Sequence, residues 1–97
     1  MKIFYTRQSI NDLKRLHDFI AENNPNAARK ASDRLLQAVK RLIDFPLLGR
    51  QVKNNNDLKA MTIRDLVTGK YVIRYVVLSN EIHILRVWHC KEDYSVD

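Results

Sequence analysis

A chain of 97 residues, 45% of them hydrophobic and with only two glycines and two prolines, is long enough for one packed domain and unlike a disordered or loop-dominated polymer. Its 17 Lys and Arg against 11 Asp and Glu leave a net charge of +6, which favours an anionic partner (nucleic acid, an acidic protein or an anionic membrane face) without choosing among them. One cysteine, Cys90, excludes an internal disulfide and a thiolate zinc site and fits a reducing cytoplasm, while no apolar stretch reaches membrane-spanning length.

The apolar run Lys2–Tyr5 reads as a short strand, too short for the core of a signal peptide. Thr6 is a capping residue, and a helix is expected over Arg7–Asn23, with Ile10, Leu13, Leu16 or His17, and Ile20 forming one apolar stripe. Asp12 lies off that stripe and is expected at the surface, near the positive end of the helix. Asn24 and Pro25 break the pattern and start a second helix that runs to about Asp44. Its stripe is Ala28, Ala31, Leu35, Ala38 and Leu42, widened by Leu36, Val39 and Ile43. Its opposite face carries Arg29, Lys30, Asp33, Arg34, Gln37, Lys40 and Arg41 and reads first as a solvated face. Residues 45–50 end the helix and 51–57 read as a polar loop. Three β-rich runs follow, 58–66, Tyr71–Leu78 and 82–89, with turns expected at Thr68-Gly69 and Ser79-Asn80. Strict alternation along the last run puts Ile82, Ile84, Arg86 and Trp88 on one face and His83, Leu85, Val87 and His89 on the other.

Residues 1–97 therefore read as a single α+β domain of order β-α-α-β-β-β. A helical hairpin should cover one face of a small, mainly antiparallel sheet and leave the other face without a helix. Leu13, Ile20, Leu35 and Leu42 are expected in the core, and Lys30, Arg34 and Arg41 in solvent.

Several fragments, in order, resemble the RelE/ParE toxin superfamily, and its ParE branch more than its RelE branch. They are Ile10-Asn11-Asp12-Leu13 with Phe19-Ile20; Asn24-Pro25-Asn26-Ala27-Ala28; Leu42 to Arg50 as Leu-x-x-x-Pro-x-x-Gly-Arg; and Arg64-Asp65-Leu66 with the two strands after it. The resemblance covers nearly the whole chain. It implies a cytoplasmic bacterial toxin of a type II toxin–antitoxin system, held inactive by a small antitoxin and needing no cofactor. ParE-type toxins act on DNA gyrase; RelE-type toxins are ribonucleases that cut mRNA on the ribosome. An inactive relative that only binds antitoxin is a third possibility, because one fold hosts all three.

RNA cleavage needs converging basic or acid–base groups around the 2′-hydroxyl and the phosphorane. The resemblance offers Arg64, Arg74, His89 and Tyr94 as partial matches, but Val72 stands where a third-strand arginine is expected and Cys90 where a basic residue is expected. The incomplete set favours gyrase inhibition. Arg86, Trp88, His89, Lys91 and Tyr94 form the candidate target-contact patch, since Trp, Tyr and Arg anchor interfaces; Trp88 packed under the helices and His89 hydrogen-bonded at the sheet edge are the plainer readings. Leu13, Leu16, Ile20, Leu35 and Val39 are the candidate antitoxin contacts. The three histidines lack metal-ligand spacing, no Gly-rich phosphate loop exists, and no sequence-specific DNA binding is expected.

Overall fold

Two capping residues set the helices in the computed structural model, which describes residues 1–52 and 62–92. Extended Thr6 accepts the Ser9 N–H on its hydroxyl at 3.1 Å and opens α1 (Arg7–Asn23). Asn24 serves both helices. Its N–H donates to the Ile20 carbonyl at the end of α1, and its side-chain oxygen accepts the Ala27 N–H at the start of α2 (Pro25–Asp44). Pro25 at the first helical position has no N–H to leave unpaired. Ala28 and Ala38 are buried, as close approach of helix α2 to its neighbours requires.

β1 (Lys2–Tyr5), β2 (Arg50–Gln51), β3 (Ile63–Thr68), β4 (Tyr71–Leu78) and β5 (Glu81–His89) form one sheet in the order β1-β5-β4-β3-β2. β1 runs parallel to β5 and every other pair is antiparallel. The helical hairpin covers one face, where Leu16, Leu35, Val39 and Leu42 meet Leu66, Ile73, Tyr75, Ile82, Ile84 and Val87. This is the α+β arrangement that the order of elements implies.

The structure departs from the periodicity in five places. Arg50, last of the residues expected to end the helix, and Gln51, first of the expected loop, pair with Asp65 and Arg64 as the short strand β2. The first of the three β-rich runs is paired over Ile63–Thr68 rather than 58–66, and residues 58–61 lie outside the described residues. Thr68 still pairs with Tyr71, so the first hairpin turn is Gly69-Lys70, with Gly69 at φ 59°, where a side chain would be strained. The turn at Ser79-Asn80 stands, with Ser79 itself at positive φ.

The fourth departure is a bulge. The register steps from Tyr75↔Ile84 to Arg74↔Arg86, leaving Leu85 as an extra residue on β5. One extra residue reverses the alternation beyond it, so Val87 and not Trp88 joins Ile82 and Ile84 in the core. The fifth is the placement of α1, which crosses the edge of β5 and not the middle of the sheet. Leu13 and Ile20 are therefore only half-buried and Ile10 is exposed, while Leu36 and Ile43 on α2 also face solvent. Leu35 and Leu42 are buried, and Lys30, Arg34 and Arg41 are exposed, as expected.

Candidate functional site

β1 pairs only with the first half of β5, which leaves the second half of that edge without a strand. The cap of α1 and a side chain of its second turn replace it. The Thr6 hydroxyl donates to the Ile84 carbonyl at 2.9 Å, and the Asp12 carboxylate accepts the Val87 N–H at 2.9 Å. Asp12 also takes both Nε and Nη2 of Arg86, at 2.8 and 3.1 Å, and lies 3.5 Å from Arg15. Asp12 is thus 4% exposed, not a surface residue. These donors partner the buried carboxylate, and an edge that would otherwise invite another strand is closed. Arg86, a candidate target contact, is held by this pair.

On the helix-free face Arg74 makes a two-bond ion pair with Asp65, at 2.8 and 3.0 Å, and lies over the Trp88 ring 5.0 Å from its centre. The hydrogen bond from Arg74 to Asp65 raises the arginine's pKa further. Trp88 is 8% exposed and pairs with Val72, on the side of the sheet away from the hairpin. It packs beneath an arginine, and neither under the helices nor out in solvent.

Arg64 stands on the other face, opposite Tyr75, and donates to the Gly49 carbonyl at 2.8 Å. Alternation along β3 and β4 therefore separates Arg64 from Arg74. His89 sits opposite Tyr71 at the end of β5 and meets its ring edge to face; its Nδ1 accepts the Lys91 N–H. Among the described residues these three do not converge, and Tyr94 lies outside them. No group of three or more His, Cys, Asp or Glu among the described residues is placed to hold a metal ion.

The Pro-x-x-Gly-Arg segment after α2 has a structural purpose. The Tyr75 hydroxyl, reaching through the core, donates to the Pro46 carbonyl and accepts the Gly49 N–H, both at 2.8 Å. Burial pushes the phenol above its ordinary pKa, so it remains a donor. A β-carbon on Gly49 would stand 2.7 Å from the Tyr75 ring and 3.0 Å from the Asp65 backbone. Gly49→Ala is expected to cost about 1–3 kcal/mol by overpacking, read as a lowered thermal midpoint. An unshifted melt would mean that Tyr75 moves aside without loss.

Between α1 and the ends of β4 and β5 lies an apolar groove of about 470 Å³, walled by Leu16, Phe19, Ile20 and Tyr71 and rimmed by Arg15, His89, Lys91 and Glu92. Arg15 and Glu92 close part of the rim with a 2.7 Å ion pair. Phe19 is 67% exposed at its mouth. Of the candidate antitoxin contacts, Leu35 and Val39 are buried in the chain's own core, and Leu16 is buried there too while also lining the groove. The stripe they belong to is used up against the sheet. Ile20 reaches the groove, and half-buried Leu13 packs on the core. The candidate target patch divides as well: His89 and Lys91 rim the groove, whereas Trp88 faces the other side of the sheet. Tyr75 and the exposed Phe19 were not singled out by residue chemistry, and Asp12 was read only as a surface carboxylate, although Asp12 and Phe19 both stand in fragments of the resemblance.

Residues 3–94 match the family model described as ParE toxin of type II toxin-antitoxin system, parDE. The chain is 34% identical over 89 residues to a protein named Toxin RelE2 from Caulobacter vibrioides, covering 91% of this chain and 93% of that one. A solved chromosomal ParDE toxin–antitoxin system from P. aeruginosa superposes with a TM-score of 0.67 at 24% identity, over 92% of this chain and 95% of that chain. The RelBE2 toxin–antitoxin complex from Mycobacterium tuberculosis gives 0.57 at 20% identity, over 91% and 95%. These two share the fold. With nearly its whole length matched by the family model and a relative at this level of identity, the chain belongs to the ParE toxins of type II toxin–antitoxin systems.

Proposed function

We propose that this toxin acts by inhibiting DNA gyrase, not by cutting RNA, and that a cognate antitoxin neutralises it. The observation that carries the choice is the dispersal of the basic groups. Arg64 is bound to backbone carbonyls on the hairpin side, Arg74 is committed to Asp65 on the opposite side, and His89 lies at the far end of β5. A phosphorane has no common point within reach of all three. The name of the Caulobacter relative favours the other reading, a ribosome-dependent mRNA interferase. Pure protein is expected to block supercoiling by gyrase or to stabilise cleaved DNA, and to leave ribosome-bound mRNA intact. Cleavage of that mRNA, abolished by Tyr94→Phe, would reverse the assignment.

The antitoxin reading rests on charge and on the groove. A chain of +6 with an apolar groove beside α1 suits an acidic segment that folds into an amphipathic helix on binding. Ordering such a segment costs free energy, so the contact should exceed the standard interface of about 1,600 Å².

A further inference from the structure

The ion pairs of this protein sort its cations into two groups. Asp12, Asp65 and Glu92 neutralise Arg86, Arg74 and Arg15, all at or near β4 and β5. The other described lysines and arginines have no carboxylate partner among the described residues, and Lys30, Arg34, Arg41 and Lys70 are four of them. Three of these four stand on one line of α2, since Lys30, Arg34, Gln37 and Arg41 follow steps of four, three and four residues. The fourth is in the β3–β4 turn. Between that line and the turn lies a polar trough of about 270 Å³, walled by Arg34, Gln37, Ala38, Arg41, Thr68 and Gly69. The missing side chain of Gly69 matters here, because a β-carbon would come within 3.1 Å of an Arg34 guanidinium nitrogen.

We infer that this trough is a binding site for the phosphodiester backbone of nucleic acid. Two guanidiniums, an amide and a hydroxyl line it, a set of donors suited to an anion and its bridging oxygens. Arg34 and Arg41 are about 10 Å apart along the helix axis, the length of about three nucleotides at roughly 3.4 Å each along a duplex. An acidic peptide is the competing ligand, but it needs apolar anchors as well as charge. The trough has only Ala38 to offer, whereas the apolar groove lies elsewhere, beside α1. A phosphate backbone needs no such anchor. Contacts of this kind position a nucleic acid without reading its sequence. The inference stands independently of the gyrase assignment.

The test is fluorescence anisotropy of the full-length protein with a short labelled DNA duplex, in two unrelated sequences, and with a single-stranded RNA, each over a salt series. Equal affinity for the two duplexes and a steep salt dependence are expected. Arg34→Gln/Arg41→Gln should flatten the slope of log K against log salt by about 1.8 on the duplex, at about 0.9 for each phosphate no longer neutralised. Arg29→Gln/Lys40→Gln removes the same charge from exposed positions of α2 outside the trough and should leave the slope unchanged. Matching thermal melts establish that both variants are folded. The two arms separate DNA from RNA as the source of the backbone. Equal flattening in the two variants would reduce the site to a diffuse positive field and overturn the inference. Binding of a Glu-rich peptide that depends on Arg34, with no duplex binding at low salt, would overturn it in favour of an acidic protein.

Discussion

Asp12→Ala is expected to destabilise the protein by about 3 kcal/mol, measured by urea unfolding with an unchanged m-value. The carboxylate is 4% exposed and accepts three hydrogen bonds, two from Arg86 and one from the Val87 N–H. Its removal strands a backbone donor at the edge of β5, which alone costs about 1–3 kcal/mol. It also removes the carboxylate that takes two of the Arg86 hydrogen bonds. That side chain is 34% exposed and finds water, which keeps the loss at the low end of the range of about 3–5 kcal/mol for a broken buried pair. Asp12→Asn retains an acceptor for Val87 and should fall between alanine and the parent. A loss below about 1 kcal/mol for alanine would mean that water already shares the carboxylate and that the pair is no more than a surface contact. The same pair governs variants of Arg86, because truncating the arginine leaves a buried negative charge. Loss of toxicity in such a variant reports the fold before it reports a target contact.

The helices were legible because each needs only local information. Thr6 and Asn24 are capping residues next to amphipathic runs, and both caps form as the residue types imply. Asp12 was not legible, since a carboxylate off the apolar stripe looks like a solvated one until its partner, 74 residues away in sequence, is brought to it. The bulge at Leu85 was hidden for a related reason: an extra residue changes which face each later side chain takes but leaves no compositional mark. The same error of parity made Trp88 a companion of Ile82 and Ile84. The Pro46 and Gly49 pattern could be recognised as a signature, yet its cause is the hydroxyl of Tyr75, 26 residues beyond Gly49. The candidate ribonuclease residues depended on strand register, and only paired strands show that Arg64 and Arg74 point to opposite faces. The candidate antitoxin contacts turn on a simpler point. An apolar stripe announces that something covers it, and for Leu16, Leu35 and Val39 the chain's own sheet does so.

That distinction yields the second large effect. Leu42→Ala is expected to cost about 2–5 kcal/mol, because Leu42 is fully buried at the centre of the contact between α2 and the sheet and the space it leaves cannot be filled by solvent. A domain of this size holds about 5–15 kcal/mol in all, so the loss is a large share of its stability, and any fall in antitoxin binding by this variant would follow from a smaller folded fraction. Phe19→Ala is the contrasting case. With 67% of its surface exposed at the mouth of the groove, Phe19 adds little to the fold, and its truncation should move stability by no more than about 0.5 kcal/mol. If the antitoxin helix lies in that groove, the same truncation should weaken binding tenfold or more, about 1.4 kcal/mol. Urea unfolding and calorimetric titration on the pair of variants separate the two causes. Unaltered antitoxin affinity in a folded Phe19→Ala protein would remove the groove from the interface, and a Leu42→Ala loss below about 1 kcal/mol would mean that the core collapses around the missing side chain.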